Sequence, residues 1–206
     1  MKARIAVFER KTKETSIRGK VNLDGSGKSS VSTGVGFLDH MLELFAKHGL
    51  FDLQLKAKGD LHIDLHHTNE DIGLSLGEAF KQALGDKKGI RRMGSAFVPM
   101  DETLARVRVV LDISGRPHFL WDWAAAAKQR QFSRSARVPY GLQDAKHFLE
   151  SFASKSGLTL HIDVLKAGGD AHHLMESVFK ALGRALREAV EKDARVKGIP
   201  STKGKL

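Results

Sequence analysis

Apolar positions along the chain switch between a period of two and a period of about 3.6, and each switch marks an element. "ARIAVFERKT" (residues 3–12) and "TSIRGKVNLDG" (15–25) read as strands, with Gly25-Ser26-Gly27 as a turn. In "FLDHMLELFAKHG" (37–49), Phe37, Leu38, Met41, Leu42 and Phe45 keep helical spacing and Gly49 is a natural stop. "LFDLQLKAKG" (50–59) alternates as a strand. "HTNEDIGLSLGEAFKQALG" (67–85) is an amphipathic helix with Ile72, Leu76, Ala79, Phe80 and Ala83 on one side. The succession then returns: strand 102–115, helix 146–157, strand 158–169 and helix 172–190.

The two successions match residue by residue. "HMLELFAKHGL" from His40 lies over "HFLESFASKSGL" from His147, and "LKAKGD" from Leu55 over "LKAGGD" from Leu165. His66-His67-x-x-Glu70 lies over His172-His173-x-x-Glu176. Amphipathic periodicity by itself would not place His and Glu at matched positions. The chain therefore predicts an α+β fold of two tandem β–β–α–β–α half-domains, each a sheet with two helices on one face. The expected halves are 1–90 and 91–206, with a seam near Gly89 to Met93, functioning as one domain.

Composition narrows the function classes. No apolar run among the 206 residues approaches the roughly 18 of a membrane span, and the start lacks a secretory apolar region. The absence of cysteine excludes disulfides, thiolate zinc sites and cysteine nucleophiles, and a cytoplasmic protein is the expectation. The net charge of +10 comes from basic residues spread along the chain, with a single tyrosine. A nucleic-acid surface would show a stripe with interleaved aromatics. A phosphorylated small molecule fits a few converging cations better.

Six of the ten histidines fall inside the repeat, with Glu70 and Glu176. On a helix, i and i+4 lie about 40° apart, so His66 and Glu70 can share an ion, while His67 points about 100° away. The same holds for His172, Glu176 and His173. Two such motifs brought together would form two sites, each built from both, with His40 and His147 completing them. Eight ligands over two ions gives four each, leaving open positions on an octahedral ion. Imidazole and carboxylate without thiolate suit Mn, Fe(II), Co, Ni or Zn, and open octahedral geometry leans toward Mn or Fe(II).

The motifs "STGVGFLDHML", "HGLFDLQLKAKGDLHIDLHHTNEDIG", "PMDETLARVRVVLDISGRP", "AHHLMES" and "IPSTKGKL", with "TKET" near the start, resemble the imidazoleglycerol-phosphate dehydratase family of histidine biosynthesis. The resemblance spans almost the whole chain and implies small halves of a ribosomal-domain type, with no fused phosphatase domain. It implies a hydro-lyase that converts D-erythro-imidazole-glycerol phosphate to imidazole-acetol phosphate. It also implies two manganese ions per active site, holding the substrate ring as imidazolate on the way to a diazafulvene-like intermediate. The ligands it implies are His40, His66, His67, Glu70, His147, His172, His173 and Glu176.

Glu14 matches the family's acid/base glutamate, though by itself it reads as an ion-pair partner; His67 and His173 join it as catalytic candidates. Arg92, Arg116, Lys180, Ser201 and Lys203 resemble phosphate contacts, the last two in a tail loop, and Asp101 resembles a group orienting a metal-bound histidine. An assembly of 24 identical chains with metal sites between subunits is implied, with neither nucleic acid nor membrane as partner. Two other readings use the same features: a metal-storage protein, which leaves the converging cations unexplained, and a basic nucleic-acid-binding domain.

Overall fold

The computed structural model describes residues 3–110, 116–122, 139–168 and 170–204, residues 105–110 by their backbone alone. The first half runs β1 (Ile5–Lys11), β2 (Thr15–Asn22), β3 (Ser29–Ser32), α1 (Gly36–Gly49), β4 (Asp52–Gly59) and α2 (His66–Leu84). The second runs β5 (Met93–Met100), β6 (Thr103–Val110), β7 (His118–Asp122), α3 (Leu142–Ser156), β8 (Thr159–Lys166) and α4 (Ala171–Val190). The fold is α+β, two tandem half-domains of one plan.

The first half holds one strand more than the apolar pattern picks out, β3, and the second holds two more, β5 and β7. The sheets have orders β1-β2-β4-β3 and β5-β6-β8-β7, and the outer pairs β3–β4 and β7–β8 are parallel. β3 has only four residues and no buried one, so it carries no apolar alternation to betray it. β5 begins at the seam, where Gly94 and Pro99 blur the pattern. The last five residues of the strand expected at 102–115 lie outside the described residues. Gly49 is the last residue of α1, not its stop; Leu50 takes the left-handed conformation at φ 55° and ends the helix. Gly157 takes the equivalent turn after α3, at φ 72°.

The helices lie between the sheets. α1 packs on β3 and β4, α2 on β1 and β2, α4 on β5 and β6, and α3 on β7. The halves then meet helix to helix, α1 against α4 and α2 against α3. Phe45, Phe80, Phe148, Phe152 and Phe179 are buried between them, with ring centroids 5.7 Å apart for Phe80–Phe152 and 5.8 Å for Phe148–Phe179. Each such side chain contributes about 1.5–3 kcal/mol by leaving water. Glycine lets the helices approach: a Cβ on Gly77 would lie 2.5 Å from the Phe152 carbonyl oxygen, and one on Gly183 2.6 Å from that of Phe45. This crossed contact decides which histidines meet.

Candidate metal centre

α1 carries His40 to the N-terminal part of α4. The Nε2 atoms of His40 and His172 lie 2.8 and 3.0 Å from Oε1 of Glu176. The Nζ of Lys180 donates to the other oxygen, Oε2, at 2.5 Å. Asp170 caps the helix, accepting from the His172 N–H at 2.6 Å. Glu176 is buried. Burial pushes its carboxyl up, but hydrogen bonds from Lys180, His40 and His172 outweigh this and bring it down to about 2.

The repeat builds a second set from α2 and α3. His66 Nε2 lies 3.6 Å from Glu70 Oε2, and the His66 and His147 rings are 5.2 Å apart. These residues line a cavity of about 300 Å³ with Leu74, Glu150, Ser151 and Ser154. Asp64, just before the cap residue Leu65, accepts from the first N–H of α2, that of His66, at 2.8 Å. Buried Tyr140 and Asn69 tie the two helices together: the tyrosine hydroxyl donates to Asn69 Oδ1, and Asn69 Nδ2 donates to the Asp144 carbonyl. Each set joins the first helix of one half to the second helix of the other.

His67 and His173 turn aside from both sets. The Nδ1 of His67 bonds Asp60 Oδ2 at 2.9 Å and stands 3.9 Å from Glu14 Oε2. The bond to Asp60 raises the His67 pKa against the effect of burial, and it lowers that of Asp60. Glu14 sits on the turn between β1 and β2. That turn is anchored to α2 through Asp71, which accepts from Thr15 Oγ1 at 2.5 Å and from Arg10 Nε at 2.8 Å. The Nδ1 of His173 lies 3.7 Å from Asp101 and 3.5 Å from Glu102, on the matching β5–β6 turn.

The expected phosphate contacts are dispersed within one chain. Lys180 stands beside Glu176. Arg92 donates from Nη1 to the Pro200 carbonyl at 2.7 Å, and its backbone N–H to Ala189 at the far end of α4. Ser201 and Lys203 follow in the same tail, where Ser201 Oγ accepts from the Lys203 N–H. Thirteen helical residues separate Glu176 from Ala189, about 20 Å of axial rise. Arg116 is exposed, just before β7.

A sequence model of the imidazoleglycerol-phosphate dehydratase family matches residues 33–186. The chain belongs to that family. The family member of Acetivibrio thermocellus is 54% identical over 197 residues, 96% of each chain, and that of Clostridium botulinum is 52% identical over the full length of both. The crystal structure of imidazoleglycerol-phosphate dehydratase from Staphylococcus aureus superposes with a TM-score of 0.76 at 35% identity, covering 92% of this chain and 99% of that one. The Pyrococcus furiosus structure, a complex with (S)-C348, gives 0.77 at 36% identity, covering 96% and 99%.

The donor chemistry of this family member fits a divalent transition metal. Two imidazole nitrogens and a carboxylate oxygen come within 4.8 Å of one another at His40, His172 and Glu176. The 2.8 and 3.0 Å spacings are those of neighbouring ligands around an octahedral ion with bonds of about 2.1 Å. Asp101, Glu102 and His173 form another group within the same limit, exposed but for the histidine. No described helix is long and apolar enough to cross a membrane.

Sequence reasoning missed Asp60. The signal was in the repeat: "LKAKGD" matches "LKAGGD", so Asp60 stands where Asp170 stands. In the second half that aspartate caps the helix. In the first half the loop is four residues longer and brings Asp64 to the His66 N–H instead, while Asp60 holds His67. His118 and His161, unassigned from the sequence, have rings 6.3 Å apart across β7 and β8.

Proposed function

We propose that this chain dehydrates D-erythro-imidazole-glycerol phosphate to imidazole-acetol phosphate in histidine biosynthesis, as a manganese-dependent hydro-lyase. The observation that carries the reading is the pair of repeat-related His, His and Glu sets, in a chain of this family. Two manganese ions would supply Lewis acidity and hold the substrate ring as imidazolate. His40, His172 and Glu176 would hold one, and His66, Glu70 and His147 the other.

Each set offers three donors, and the fourth expected for each, His67 or His173, faces outward. Asp60 holds the Nδ1 side of His67, so Nε2 is the atom left to donate to a metal. This arrangement suits completion by a neighbouring copy, as in the assembly of 24 identical chains that the resemblance implies. The same packing would bring the Arg92, Ser201 and Lys203 region of one copy toward the metals of another, across the 20 Å or so that separates them within a chain. There Arg92, Ser201 and Lys203, with Arg116 and Lys180, would hold the substrate phosphate. Glu14 would move the proton: its carboxylate stands beside His67 on a turn fixed by Asp71.

The test is turnover of imidazole-glycerol phosphate by purified protein, stripped with chelator and then supplied with Mn(II). Activity should vanish on stripping and return with the metal. Undiminished turnover in excess chelator would overturn the reading.

A further inference from the structure

The internal repeat relates the two metal-ligand sets, and the residue four places after each glutamate breaks the relation. After Glu176 comes Lys180; after Glu70 comes Leu74. On a helix this position lies directly against the carboxylate. The Lys180 ammonium therefore occupies Oε2 of Glu176, and only Oε1 faces His40 and His172. Both side chains are shielded, Lys180 at 14% exposure and Glu176 at 10%, and Met100 Sδ lies 3.4 Å from Nζ. Glu70 is 47% exposed, next to apolar Leu74, and Glu150 lines the same cavity.

An ion bound on Oε1 of Glu176 would sit one carboxylate away from a fixed positive charge, with little water to screen the repulsion. Among the described residues that line its cavity, an ion at Glu70 would meet no such charge, and the nearby Glu150 carboxylate would add attraction. One effect opposes this. The Glu176 set is already drawn together, whereas the His66–Glu70 spacing of 3.6 Å must close on binding. Ordering one half-exposed glutamate is a small entropic matter beside a univalent cation facing a divalent one in a shielded site.

We propose that Lys180 makes the two metal positions inequivalent, so that the His66–Glu70–His147 position fills first and the His40–His172–Glu176 position fills second and more weakly. The inference rests on the metal reading above and assigns Lys180 as a positioning residue acting through Glu176. The second ion has part of its carboxylate charge already neutralised, so it is the more electron-poor of the two.

The experiment is titration of metal-free, full-length protein with Mn(II), without substrate, following free Mn(II) by electron paramagnetic resonance. Two classes of site should appear, their dissociation constants separated by about tenfold or more. His147→Ala should remove the tight class and His40→Ala the weak one. Lys180→Met should tighten the weak class, and the reciprocal Leu74→Lys should loosen the tight one, so either variant decides the point if the other fails to fold. A lysine that serves the phosphate alone would alter substrate KM and leave these titrations unmoved, which would overturn the proposal. Two equal sites, or loss of the tight class in His40→Ala, would also overturn it. Binding of no Mn(II) at all would overturn the metal reading together with the inference, whereas equal sites would leave that reading standing.

Discussion

Glu176 Oε1 lies 2.8 Å from Nε2 of His40, although 136 residues separate them in the chain. His40 ends up beside a carboxylate of the other half because α1 packs on α4 and not on its own partner helix. The same crossing sets His147 against His66.

Removing either glutamate's charge should cost metal and turnover together. Glu176→Gln and Glu70→Gln each keep shape but lose a charged donor. We expect each to lower kcat by roughly a hundredfold or more and to lower the bound manganese per chain. Metal analysis beside steady-state kinetics checks this; full manganese with full activity in either variant would refute the ligand assignment.

Asp60 should matter through His67. Asp60→Asn exchanges a carboxylate that fixes the ring's Nδ1–H for an amide that can bond either tautomer. The expected loss of kcat is on the order of 10- to 100-fold. His67 should titrate lower in the variant, because the Asp60 bond is the main cause of its raised pKa. NMR titration of the imidazole signals tests the second point separately from activity.

Helix approach is a steric condition for the sets. Gly183→Val should destabilise the protein by about 1–3 kcal/mol, since its Cβ would meet the Phe45 carbonyl. Pushing α4 off α1 separates His172 and Glu176 from His40, so thermal stability and metal content should fall together. Gly77→Val should act alike on the α2–α3 pair, where the Phe152 carbonyl is the obstacle.

His48, at the end of α1, gives a pH dependence of definite sign. Burial lowers its pKa, and the charges of Lys180, Arg184 and Lys47 lower it further, with Glu176 opposing. The unfolded chain takes up this proton near the ordinary value of 6.5, while the folded one resists it. Stability from this group is therefore lost as pH falls through 6.5, and the loss is complete below the lowered folded value. His67, with a raised pKa, runs the other way. Denaturant unfolding of metal-free protein from pH 8 to pH 5 should show a smaller acid loss for His48→Gln than for the native chain. Equal slopes would refute the assignment.

The chain's own pattern carried much of this protein. Apolar period placed both strand–helix runs, since burial on one face is written into spacing. The duplicated His-His-x-x-Glu, with the matched blocks that begin at His40 and His147, disclosed the histidines and glutamates of the two sets, and helix angles predicted that each first histidine would stand by its glutamate while the second turned aside, as at His67 and His173. Spacing could not reveal β3, too short to alternate. Nor could it tell which half's helix would bring His40 or His147, because that depends on how two helical layers cross, a contact between residues far apart in sequence. The same limit hid Asp60. Its match in the repeat, Asp170, caps a helix, and only the folded loop of residues 61–65 brings Asp64 to the His66 N–H instead and turns Asp60 to the imidazole.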